Sequence, residues 1–140
     1  MFRMGSNSSL IRSYRDLIVW KKSMDLVIEV YRCTEQFPKS EAYGLVSQLR
    51  RAAVSVPSNI AEGHSRASTG EFRQFIGHAL GSLVEIETQI EIAHRLGYVD
   101  CNTAAEILRR SDEIGKMLAG LTKSLANKLR VPGNSAKASS

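Results

Sequence analysis

Arginines are the residues of this chain best suited to engaging an outside partner. Arg50-Arg51, Arg66, Arg73 and Arg109-Arg110 belong to a chain of 140 residues with a formal net charge of +5. A guanidinium offers a planar fork of donors that matches phosphate oxygens two at a time, so such a group points to a polyanion. Arg50, Arg51, Arg66 and Arg73 are the candidate nucleic-acid contacts, because the end of one helix, a loop and the start of the next would bring them together. The competing reading of any one of them is a solvated charge with an i,i+4 partner, as expected for Arg109 with Glu113 and for Asp112 with Lys116.

Other chemistries find less support. Glu91-Ile92-Ala93-His94 places two metal-ligand types three residues apart. A di-metal carboxylate bundle needs two such steps and a glutamate from each of two more helices, and this chain has one step. Cys33 and Cys101 are far apart and outside any C-x-x-C pair, which reads as two reduced thiols. No G-x-S-x-G elbow and no glycine-rich phosphate loop is present. The expectation is no enzyme, no cofactor and no metal.

The elements that would position the arginines read as four helices. The first is expected over about 16–36, with Leu17, Trp20, Met24, Val27 and Tyr31 on one face and Phe37-Pro38 ending it. The second spans about 43–63 with the stripe Leu45, Leu49, Ala52, Val56 and Ile60. Pro57 sits inside it, where a kink is expected rather than a break, since Val56 would be a poor N-cap. The third opens at a capping box, Ser68-Thr69-Gly70-Glu71. It carries Phe72, Ile76, Ala79, Leu83, Ile86, Ile90 and Ala93 in alternating threes and fours, and stops at Gly97. The fourth runs from about 102 to 128 with Ala104, Ile107, Ile114, Leu118, Leu121 and Leu125, and Asp100 competes with Thr103 as its cap.

Short links between these helices make an antiparallel up-down-up-down four-helix bundle the simplest all-α solution, over 14–129. Residues 1–13 read as a flexible basic lead and 130–140 as a flexible tail. Gly77 and Gly81 allow a close approach of another helix, within the bundle or between subunits. Apolar residues off the main stripes, such as Ile18, Leu26, Val30, Phe75 and Val84, fit either a wider core or self-association. No apolar run reaches the roughly 20 residues that span a bilayer, and no signal peptide is read, so a cytoplasmic protein is expected.

The run Gln48-Leu49-Arg50-Arg51-Ala52-Ala53-Val54-Ser55-Val56-Pro57-Ser58-Asn59-Ile60-Ala61-Glu62-Gly63 resembles the signature of the four-helix-bundle proteins encoded in intervening sequences of 23S (large-subunit) ribosomal RNA. Tyr14-Arg15-Asp16-Leu17-Ile18-Val19-Trp20, Glu71-Phe72-Arg73-Gln74-Phe75-Ile76 and Gly81-Ser82-Leu83-Val84-Glu85-Ile86 are similar to that family too, and the likeness covers about 14–125. The resemblance implies a bacterial, cytoplasmic four-helix bundle that assembles as a homopentamer and has no established enzyme activity. A distant branch serves diversity-generating retroelements as an accessory protein. The expected function is a non-catalytic oligomeric bundle that binds RNA through a basic surface. The alternative is an interaction scaffold that meets a protein partner and no nucleic acid.

Overall fold

The structure, a computed structural model, describes residues 11–129. Helices α1 (Ile18–Thr34), α2 (Leu45–His64), α3 (Thr69–Arg95) and α4 (Cys101–Leu129) make up the fold, and the described residues contain no strand. No helix among them is long and apolar enough to cross a membrane. Most of the lead and all of the tail read from the sequence lie outside the described residues.

Local chemistry sets the ends. A single 3-10 turn, Tyr14–Asp16, precedes α1; the Ser13 hydroxyl and the Asp16 carboxylate cap it reciprocally. At α3, Ser68 Oγ accepts the Glu71 N–H at 3.0 Å. The Glu71 carboxylate in turn takes the Ser68 hydroxyl at 3.2 Å. Asp100 wins the competition to start α4: its Oδ1 accepts from Thr103 N at 2.7 Å, which holds its carboxyl below the usual range. Gly97 has φ 79. Its N–H reaches His94 O at 3.0 Å while that of Tyr98 reaches Ala93 O at 2.9 Å. This paired closure needs a left-handed residue, which glycine supplies without steric cost.

Each helix packs on two others: α1 on α2 and α4, and α3 on α2 and α4. Ser82 bonds Ser55 at 2.8 Å and Gln89 bonds Gln48 at 3.3 Å, so rising numbers on α2 meet falling numbers on α3. Ser111 donates to Glu87 at 2.6 Å across α3 and α4, and Lys22 pairs with Glu113 at 3.0 Å across α1 and α4. The core between them holds Leu26, Val30, Leu49, Val56, Ile60, Ile76, Ile86, Ile90, Ile107, Ile114 and Leu118. α2 runs unbroken through Pro57, which is buried.

The stripe read for α1 is corrected. Val19, Ser23, Leu26, Val30 and Thr34 face the core, while Met24 and Tyr31 are exposed. Two hydroxyls are tolerated in that face because each bonds its own helix. Ser23 Oγ donates to Val19 O at 2.7 Å and Thr34 Oγ1 to Val30 O at 2.8 Å, so neither is buried unsatisfied.

Cys33 is half-buried at the end of α1, and burial, reinforced by Asp100 and Glu29, pushes its thiol up to about 11. Its thiolate fraction at pH 8 is then roughly two orders of magnitude below that of a free cysteine. Alkylation with iodoacetamide should modify exposed Cys101 well before Cys33. Equal rates, read by mass spectrometry, would refute this burial.

Candidate nucleic-acid interface

Of the four candidate arginines, Arg50 is occupied inside the bundle. Its Nε donates to Thr34 Oγ1 at 2.8 Å, and one Nη donates to Tyr31 O at 3.3 Å and to Glu35 at 3.5 Å. The guanidinium also lies over the Tyr31 ring, 4.3 Å from its centre. The Tyr31 carbonyl already accepts from the Glu35 N–H at 3.2 Å and the Thr34 hydroxyl at 3.1 Å, and the guanidinium adds a positive charge at the C-terminal end of α1, where the helix dipole favours it. Arg50→Ala should therefore lower stability by about 1–2 kcal/mol, whereas Arg51→Ala should stay within about 0.5 kcal/mol of the parent. Urea denaturation checks both.

Arg51 is exposed and has no partner among the described residues. The same holds for Arg73, in the first turns of α3. Arg66, after α2, pairs with Glu62 at 2.7 Å and lies over the Phe75 ring, 5.1 Å from its centre.

These four do not converge. Arg50 and Arg66 are sixteen positions apart, roughly 24 Å of helix at 1.5 Å per residue. Arg73 and Phe75 sit on opposite flanks of α3, being two positions apart, so Arg66 and Arg73 do not share a face. The expected single patch is replaced by separate cations along the rod. Arg109 and Arg110 are tied down: Arg109 reaches Glu106 at 2.8 Å and Glu113 at 3.7 Å, and Arg110 reaches Glu106 at 3.0 Å. The Arg109 hydrogen bond holds the Glu106 carboxyl below its ordinary range.

Two features of this surface escaped the sequence reading. Arg15 stands over both Tyr14 and Trp20, at 5.3 and 5.8 Å from the ring centres. Tyr43, placed in the second helix by the sequence reading, precedes α2 and is 99% exposed, with neither ring nor hydroxyl buried in the fold. The Tyr-Arg adjacency at 14–15 is a signal for the first; nothing local marks the second.

Glu91, the acidic half of the Glu-x-x-His step, pairs with Arg95 at 3.2 Å. Among the described residues no group of three or more histidines, cysteines or carboxylates is arranged to hold a metal.

No curated protein matches this chain. A solved structure from Bacteroides thetaiotaomicron, described as a protein of unknown function from the S23 ribosomal protein family, has the same fold. It aligns with a TM-score of 0.69 at 24% identity, over 76% of this chain and 99% of the other. Residues 15–120 match the family model described as 23S rRNA-intervening sequence protein, and the chain belongs to that family.

Proposed function

We propose that the chain acts as a non-catalytic homo-oligomeric bundle, a pentamer as the family resemblance implies, that binds RNA through dispersed arginines. The observation that supports this best is the pair of exposed guanidiniums without a partner among the described residues, Arg51 and Arg73, on a chain of net charge +5. They are too far apart to grip one phosphate. They suit separate phosphates of a folded RNA, with Arg66 available if it releases Glu62. Affinity then comes mainly from phosphate contacts and counterion release, and it falls steeply with salt.

The test is binding of a structured RNA across a salt series. Expected is tight binding at low salt, and a shallower salt slope when Arg51 and Arg73 both become alanine. No binding at low salt, or an unchanged slope, overturns the reading. Pull-downs that keep the same partners after nuclease treatment would favour a protein-interaction scaffold instead.

A further inference from the structure

An open groove of about 510 Å³ runs along the outer surface between α2 and α3. No hydrocarbon side chain lines it. Its walls are Ser55 and Asn59 from α2 and Gln74, His78, Ser82 and Glu85 from α3. Gly77 and Gly81 complete the lining, and a Cβ at either would meet nothing within 4 Å. The space is open because these two positions carry no side chain, at about 1 kcal/mol of helix stability each relative to alanine.

Much of the hydrogen-bonding capacity of this lining is unspent. Ser82 Oγ donates to Ser55 Oγ at 2.8 Å, and Asn59 Nδ2 donates to the same oxygen at 2.9 Å. One hydroxyl proton of the serine pair and the Asn59 carbonyl oxygen are left without a partner among the described residues. Glu85 is exposed and has no hydrogen bond or ion pair among them either. Arg51 lies one helical turn before Ser55 on the same face of α2. The register of the Ser55–Ser82 and Gln48–Gln89 contacts sets it level with Glu85 and Ile86, yet no ion pair joins Arg51 to Glu85.

A phosphate in this groove would face the Glu85 carboxylate, and an apolar ligand would leave the polar lining unpaired. A nucleobase edge avoids both faults, since it presents donors and acceptors in one plane. Among the RNA bases only guanine carries two adjacent donors, N1–H and N2–H, on its Watson–Crick edge. A carboxylate accepts such a pair side by side. Resting on the RNA-binding reading, we propose that the groove takes an unpaired guanine of the bound RNA. Glu85 accepts from N1–H and N2–H, and the unspent hydroxyl proton of the Ser55–Ser82 pair serves O6. The ring lies over Gly81, where no side chain holds it off the helix. Arg51, at the rim, meets the adjoining phosphate.

The experiment titrates the full-length chain with RNA hairpins whose uridine loop carries one guanine, one hypoxanthine (which lacks the 2-amino group) or one adenine. Expected is a preference of the parent for guanine over adenine by roughly tenfold, with hypoxanthine between them. Glu85→Gln should lose the guanine preference yet bind the adenine hairpin at least as tightly, because the charge removed repels RNA. Gly81→Leu, with the helicity of the parent by circular dichroism, should lose the preference by filling the groove. Equal affinity of the parent for all the hairpins overturns the guanine site while phosphate binding stands. So does a guanine preference that survives in Glu85→Gln or in the helical Gly81→Leu chain. A parent that binds none of the hairpins at low salt removes the RNA-binding reading and this inference together.

Discussion

Leu26→Ala should lower the stability of the bundle by about 2–5 kcal/mol, and Met24→Ala by less than about 1 kcal/mol. Leu26 is fully buried, whereas Met24 is exposed on the outer side of the same helix. Truncating the leucine removes apolar surface that is kept from water and leaves a cavity that packed neighbours fill only in part. The methionine loses contacts on one side only. Urea denaturation, at a concentration where both variants are monomeric, gives the comparison. Equal losses, or a larger one at Met24, would mean that α1 is rotated from the position described here.

Gly63→Ala should also destabilise, by about 1–3 kcal/mol, although alanine is the better helix former. A Cβ at this buried position would lie 2.7 Å from Phe75 Cβ and 2.9 Å from Phe72 Cδ1. The first of these atoms is fixed to the backbone of α3, so the new methyl can be admitted only if the two helices part. Gly120→Ala is the control. Nothing lies within 4 Å of a Cβ there, and the same exchange should stabilise by up to about 1 kcal/mol. Opposite signs for one chemical change are the signature sought in thermal or urea unfolding. A stabilised Gly63→Ala variant would refute the close α2–α3 contact.

Helices α3 and α4 were legible because their apolar spacing is uninterrupted or broken only by Ser111, and because Ser68 and Gly97 mark ends through local chemistry. The face of α1 was not. Ser23 and Thr34 look polar in a sequence, yet each is satisfied by a carbonyl one turn back and packs as a small side chain. Met24 and Tyr31 look like core and are exposed. Periodicity ranks residues by type, whereas burial depends on what the neighbouring helices present. The same limit applies to the arginines. The Glu62–Arg66 pair is an i,i+4 spacing visible in the sequence, as are Arg109–Glu113 and Asp112–Lys116, both of which form. Arg50 bonds a threonine sixteen residues away, and only the packing of α1 on α2 creates that contact.

The hydrogen bonds around Glu41 give the rod two unlike ends. One carboxylate oxygen takes the Leu45 N–H at 3.1 Å and the other takes the Tyr98 hydroxyl at 3.0 Å, which fastens the α1–α2 connection to the α3–α4 connection. That bond raises the tyrosine above its ordinary 10.0. The clasp therefore contributes in full below about pH 10 and is lost as pH climbs past the raised value, when phenolate and carboxylate repel. At the opposite tip Gly63, Phe72 and Phe75 interlock and the His64 ring stands edge-on to Phe72 at 5.6 Å, a contact with no tyrosine in it. Alkali should thus fray the molecule from a single pole, like a cable whose one splice dissolves while the other holds.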